Sequence, residues 1–201
     1  MKLKAYGLTG NIGCGKSTVS KLLAQYPDVV TVDCDALAKA VMNCYTLRSS
    51  INEILGVEAY PDGLINRKAI ADVIFSNPEK KQKLESLVHP FVWMKVEEVV
   101  GRARPGTVCI VESAIIFEKN DEHRFDGIIV AACPYEEQVK RLIGPRGIRK
   151  DDAERRIAQQ MSSEEKERRA QFVIRTDCTL KELESRVARL YKELQQHKGE
   201  L

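Results

Sequence analysis

Residues Gly10–Thr18 read Gly-Asn-Ile-Gly-Cys-Gly-Lys-Ser-Thr, a complete match to G-x-x-x-x-G-K-[ST]. No other stretch restricts the fold as tightly, because such a loop works only between a buried strand and the first turn of a helix. The flanks comply. Lys4-Ala5-Tyr6-Gly7-Leu8-Thr9 is a short, mostly apolar run suited to a buried strand, and Val19, Leu22, Leu23 and Tyr26 recur at helical spacing after the loop. Glycines at 10, 13 and 15 let the main chain curl tightly and approach an anion. The loop amides and the start of the helix then turn partial positive charge toward phosphate oxygens. The motif therefore assigns Asn11, Ile12, Gly13, Cys14, Gly15, Lys16, Ser17 and Thr18 to a nucleoside triphosphate such as ATP. Lys16 is expected to reach the β- and γ-phosphates, and the Ser17 hydroxyl to ligate Mg2+. A dinucleotide fingerprint needs G-x-G-x-x-G, whereas these glycines come in the order G-x-x-G-x-G before Lys-Ser.

Four further apolar runs follow: Val29–Val32 ending at Asp33, Thr107–Val111 ending at Glu112, Gly127–Ala132, and the short Phe172–Ile174. Nearly continuous apolar runs separated by helical stretches predict an α/β fold, a five-stranded parallel sheet covered on both faces. Ligands on such sheets bind at the carboxyl ends of the strands, which is where the glycine loop, Asp33 and Glu112 fall. Residues 35–104 read as mainly helical and are too long for one crossover, so they predict an inserted subdomain on the substrate side. Within it, Asn77-Pro78 starts a helix whose apolar side is Leu84, Leu87, Val88, Phe91, Val92, Val96 and Val99. Pro90 sits inside that helix, and a kink or break near His89 is expected. Thr179 begins a terminal helix that frays over 198–201.

A chain of 201 residues suits a single α/β domain. It is expected to divide into a core (1–34, 105–140 and 170–201), the helical insertion (35–104) and a lid region (141–169). No apolar run approaches the ~20 residues of a membrane span, and the N-terminus lacks a secretory pattern. The six cysteines form no C-x-x-C pair, which predicts free thiols in a reducing cytoplasm, without structural zinc. A net charge of +3 is too small to argue for nucleic acid, so neither nucleic acid nor membrane is expected as a partner. The basic excess concentrates in Lys140–Arg175, with eleven basic and six acidic residues; an anion-clamping segment and a solvated charged helix both account for it.

A phosphate loop alone does not separate kinase, GTPase and motor ATPase. The N-K-x-D base-reading motif of common GTPases is absent, and the chain is short for a motor. A kinase needs a carboxylate for the acceptor hydroxyl, an acceptor pocket and cations over the phosphates. Asp33-Cys34-Asp35 offers the carboxylate: at i and i+2 of an extended strand end the two share a face. Asp33 is placed to take a hydroxyl proton or help hold Mg2+, and Asp35 to cap the helix Ala36–Met42. A kinase acting on a nucleotide or nucleoside, or a non-catalytic ATP-binding switch, remains open at this point.

The wider pattern is narrower. Gly7–Thr18 resembles the opening of the dephospho-coenzyme A kinase family, and Asp33-Cys34-Asp35 echoes that family's D-A-D. Asp62–Arg67 resembles its D-G-x-L-x-R segment, Leu87–Pro90 its L-x-H-P, and Glu112–Glu118 its D-x-P-L-L-F-E. Ile157–Met161 with Glu165-Lys166 is similar to its lid-side helix. The resemblance implies a three-layer P-loop kinase fold with a helical coenzyme A subdomain and a lid. It also implies transfer of the ATP γ-phosphate to the 3′-hydroxyl of dephospho-coenzyme A, the last step of coenzyme A synthesis, by a monomer or weak homo-oligomer using Mg2+. On that reading Asp33, Lys16 and Arg141 are catalytic; Asp33, Arg67, His89 and Glu112 bind the acceptor; and Asp33 or Glu112 joins Ser17 at the metal. Asn11 and Cys14 replace the family's usual glycine and serine, Glu112 its aspartate and Ala114 its proline. The R-x-x-x-R-[DN] pattern is shifted by one, since Arg141 is followed by Pro145 and then Arg146; the ATP contact of the second arginine passes to Arg146 or Arg149. Gln171 and Thr176 stand where aspartate and asparagine are usual, with altered lid or adenine contacts expected.

Overall fold

A computed structural model of the chain describes residues 5–145 and 147–197. Met1–Asp33 with Val100–Leu201 forms one compact unit, and Cys34–Val99 the other. The first unit is built on five strands, β1 (Tyr6–Thr9), β2 (Val29–Asp33), β3 (Val108–Glu112), β4 (Gly127–Ala132) and β5 (Phe172–Arg175). They pair in parallel in the order β2-β3-β1-β4-β5. Every residue of β1, β3 and β4 is buried, whereas the edge strands β2 and β5 are only partly buried.

Side chains two apart on each strand share a face. Tyr6 and Leu8, Val108 and Ile110, Ile129 and Ala131, with Ile174, line one face of the sheet. Helices α1 (Lys16–Leu23) and α9 (Leu180–His197) cover it with Val19, Leu22, Leu23, Leu183, Val187, Leu190 and Leu194. On the other face a Cβ at Gly7 would lie only 2.8 Å from Ile116 and Ile128, so the segment after β3 packs directly against the backbone there. The described part of the terminal helix opens with a reciprocal cap: Glu182 N–H donates to Thr179 Oγ1 (3.3 Å), and Thr179 N–H to Glu182 Oε2 (2.8 Å). The expected fraying of 198–201 lies outside the described residues.

The helical unit holds α2 (Cys34–Met42), α3 (Arg48–Leu55), α4 (Arg67–Ser76) and most of α5 (Pro78–Gly101). Asn66 caps α4 by accepting from Ala69 N–H (3.0 Å), and Asn77 holds Lys80 N–H (3.0 Å) ahead of Pro78 at the start of α5. Two local expectations change. Helix α5 runs on through Pro90 without a break, anchored by Leu84, Val88, Val92 and Val96 on one narrow buried stripe, while Phe91 and Val99 are exposed. Tertiary burial along that stripe outweighs the one backbone bond that proline removes. The strand-face relation of Asp33 and Asp35 also fails, because β2 ends at Asp33 and α2 starts at Cys34. Asp35 lies inside the first turn of α2 rather than capping it, where its charge still favours the helix dipole.

In the first unit, α6 (Tyr135–Ile143), α7 (Lys150–Ala158) and α8 (Ser163–Arg169) follow β4, so these helices stay with the sheet unit. Leu142, Ala153 and Ile157 form a small core that packs on Ile12 of the glycine loop. The basic excess here is largely paired within the segment: Arg155 and Arg156 with Asp152, Lys150 with Glu154, Arg168 with Glu165 and Arg175 with Glu167. A solvated charged surface therefore accounts for most of it.

Candidate active site

The glycine loop joins β1 to α1, and its shape is enforced by crowding as well as by turn geometry. Gly10 has φ 141°, and a Cβ there would meet the Ala131 carbonyl oxygen at 2.2 Å; Gly13 has φ 84°, with the Gln138 carbonyl oxygen 2.9 Å from a Cβ. No side chain fits either position without moving β4 or α6. Helix α1 begins on left-handed Gly15 with no side-chain cap and no carboxylate in its first turn, which leaves its N-terminus suited to an external anion. Lys16 Nζ donates to the Gly10 carbonyl (2.8 Å) and, more weakly, to that of Asn11 (3.5 Å), so the ammonium is held over the loop that would receive the phosphates.

Register places the two carboxylates. Asp33 on β2 pairs with Glu112 on β3, and Leu8 on β1 pairs with that same Glu112. Parallel strands in register point matched side chains to one side, so both acids stand at the carboxyl edge beside the loop. Glu112 is buried and accepts a hydrogen bond from Ser17 Oγ (2.8 Å), whereas Asp33 is exposed. The longer glutamate side chain thus reaches the hydroxyl of the G-K-[ST] motif. Arg67 is exposed at the start of α4, and His89 is half-buried on α5; both belong to the helical unit. Arg146 lies outside the described residues. Arg149 pairs with Asp151 (3.3 Å) on the surface.

Arg141 is placed against the back of the loop. Its guanidinium donates to Glu137 Oε1 (2.9 Å), the Gly13 carbonyl (3.3 Å), Thr176 Oγ1 (3.1 Å) and the Thr176 carbonyl (2.7 Å). Thr176 in turn donates from its hydroxyl to the Cys14 carbonyl (2.9 Å). Arg141 and Thr176 together brace the turn at Gly13–Cys14, and they wall a cleft of about 340 Å3 shared with Gly15, Thr18 and Leu180. Gln171, the other departure near the fifth strand, extends the sheet instead, its Oε1 accepting from Ile128 N–H (2.7 Å).

Several contacts escaped the sequence. Gln160 Oε1 accepts from Ile12 N–H (2.8 Å), and Asn11 Nδ2 donates to the Met161 carbonyl (3.1 Å), so the turn after α7 is tied to the loop. Lys166 is fully buried, pairing with Glu118 Oε1 (2.8 Å) and donating to the Ala114 carbonyl (3.0 Å). Glu118 Oε1 also accepts from Met161 N–H (3.0 Å), which links the segment after Glu112 to the turn holding Gln160. The signal was present, since Glu118 and Lys166 both lie in motifs, but nothing in their spacing pairs residues 48 apart. Replacing Lys166 with alanine is expected to strand the Glu118 charge. With Glu118 still one-fifth exposed, the low end of the range for a broken buried pair applies, about 3 kcal/mol. Thermal unfolding should then show Tm lowered by about 6–12 °C.

A model of the dephospho-CoA kinase family matches residues 5–182. The chain belongs to the dephospho-CoA kinase family. The dephospho-CoA kinase of Aquifex aeolicus (strain VF5) is 34% identical over 96% of this chain and 98% of its own length. That of Thermobifida fusca (strain YX) is 32% identical over 94% and 95%. Among solved structures, TT1252 from Thermus thermophilus superposes with a TM-score of 0.83 at 33% identity, covering 96% of this chain and 99% of that one. Family membership and the parallel five-stranded sheet agree with the P-loop kinase fold expected from the sequence.

Proposed function

We infer that this protein transfers the γ-phosphate of ATP to the 3′-hydroxyl of dephospho-coenzyme A, the final step of coenzyme A synthesis. The observation that carries the reading is the family match over residues 5–182 on a chain whose phosphate loop stands beside two strand-end carboxylates in register. The loop amides and Lys16 neutralise the triphosphate, and exposed Asp33 aligns the acceptor hydroxyl and takes its proton as the phosphoryl group moves in line. Arg67 and His89 of the helical unit bind the coenzyme A portion.

Ser17 and Glu112 supply a hydroxyl and a carboxylate at the phosphate end of the loop. That donor set suits Mg2+, which takes one or two protein oxygens and completes its shell with phosphate and water. Bound there, the ion would offset charge on the β- and γ-phosphate oxygens. Glu112 orients the Ser17 hydroxyl, and its burial keeps the carboxylate in place. The cleft against Arg141 and Thr176 is proposed to take the adenine end of ATP. Arg141 itself is assigned to holding the loop, because its donors already meet Gly13, Thr176 and Glu137.

Initial rates of ADP formation with Mg-ATP test the reading. Dephospho-coenzyme A is expected to exceed AMP, CMP and uridine as acceptor by at least about 10²-fold in kcat/KM, a gap on the scale of discrimination by several buried contacts. Equal rates with a nucleoside monophosphate would assign the chain to a nucleotide kinase instead.

A further inference from the structure

Cys14 is the last of the four residues between Gly10 and Gly15, and Cys133 is the first residue after β4. The two side chains are buried, and their sulfurs lie 3.7 Å apart, with the Cys133 thiol donating toward Cys14. Cys133 Sγ also lies 3.9 Å from the Gly13 carbonyl. Two thiols in van der Waals contact across 119 residues, one of them inside a phosphate loop, form a feature that phosphoryl transfer does not use.

Cys133 is the member of the pair that borders a cavity, and Cys14 is reached only past it. Cys133 lines a cavity of about 340 Å3 whose wall includes Asn11, Gln138, Ser163 and Glu167. The hydrogen bond from Cys133 brings the Cys14 thiol down to about 7, with the Lys16 charge assisting, while Cys133 is pushed up because its proton is shared with Cys14. Sharing one proton, the pair gives up its first proton more readily than an isolated thiol, with Cys14 the acceptor and Cys133 the donor.

We propose that Cys14 and Cys133 are a redox modification site, in which a small peroxide joins them as a disulfide and thereby disables the phosphate loop. The Cys14 thiolate attacks one peroxide oxygen, forming an S–O bond as the O–O bond breaks and hydroxide leaves. Cys133 sulfur then attacks the sulfenic sulfur, and the S–S bond forms as the second hydroxide leaves. The Cys133 proton and one solvent proton convert the two hydroxides to water. Two thiols are oxidised by two electrons, and one hydrogen peroxide is reduced to two waters.

The geometric consequence follows from the bond length. A disulfide brings sulfurs to about 2.05 Å, so the pair must close by about 1.7 Å from its present 3.7 Å. Gly13 and Gly15 flank Cys14, and the strain falls on the amides that face phosphate. A misplacement near 1 Å costs on the order of 10²-fold in a preorganised site. Thiol reductants reverse the bond, and the loop recovers.

The test uses the full chain without nucleotide, treated with a slight excess of hydrogen peroxide, quenched by alkylation and digested for mass spectrometry. The expected product is a Cys14–Cys133 linked peptide, with binding of Mg-ATP weakened at least about 10-fold and restored by dithiothreitol. ATP binding is the readout, so the outcome is separate from the identity of the acceptor. Cys133→Ser, with Cys133→Ala beside it, is expected to bind ATP normally before treatment and to keep binding after it. Cys14→Ser is expected to yield no linked peptide. Absence of the linked peptide while exposed Cys44 becomes oxidised would overturn the proposal. So would linkage without loss of binding, or equal loss in the untreated-competent Cys133 variants.

Discussion

Replacing Asp33 with asparagine is expected to lower kcat by about 10²–10⁴-fold, the range for removing a positioned general base. The size follows from placement. Asp33 ends β2 in register with Glu112, is exposed where Glu112 is buried, and stands at the carboxyl edge that carries the phosphate loop. An amide keeps the volume and can still hydrogen-bond the hydroxyl, but it cannot hold the proton. ATP affinity, measured by titration calorimetry, is expected to stay within a few-fold, because the donor side of the site is built from other residues. Near-normal turnover in the purified variant would remove Asp33 from the chemistry.

Lys16→Ala is expected to act on the opposite half of the site. It removes the Lys16 ammonium, which rests on the Gly10 and Asn11 carbonyls. Charge-assisted hydrogen bonds contribute about 1.5–3 kcal/mol, so ATP binding should weaken about 10–100-fold. Charge that develops on the transferring phosphoryl group loses its partner as well, and kcat should fall by a further 10²–10³-fold or about that. Both constants change, in contrast with Asp33→Asn, where kcat alone carries the loss. Arginine at position 16 is not expected to restore activity, since a planar guanidinium does not occupy the space of a compact ammonium. Circular dichroism matching the parent would separate these effects from misfolding, and activity within three-fold of the parent would contradict the assignment.

The two halves differed in how far the sequence revealed them. The loop was legible because its function is written in consecutive residues. The strand ends were legible because a buried parallel strand is a short apolar run, and its last residue is the polar one that follows. Asp33 and Glu112 therefore stood out before any pairing was known, and the register then brought them side by side. Local chemistry went less far where burial decides. Pro90 did not break α5, since the Val88, Val92 and Val96 stripe holds the helix together. Asp35 lost its place on a strand face because α2 begins at Cys34, two residues earlier than expected.

The remaining contacts join residues far apart in the chain. Gln160 meets Ile12, Thr176 meets Cys14, and Cys133 meets Cys14 only because β1, β4 and β5 are neighbours in the sheet. No spacing rule reports such pairs. The change in Arg141 follows from the same cause. Its position matches a lid arginine, and in the fold its guanidinium donates to the Gly13 and Thr176 carbonyls, contacts that the spacing did not announce. Thr176, which the sequence marked only as a departure, is the residue that connects that arginine to Cys14.

One measurement addresses the central claim most directly: incubation of the purified chain with Mg-ATP and dephospho-coenzyme A, with the phosphorylated position of the product read by phosphorus NMR. Phosphate on the ribose 3′-hydroxyl, formed in step with ADP and lost in Asp33→Asn, is the result expected. ADP released without a phosphorylated acceptor, or phosphate at another hydroxyl, would contradict the account.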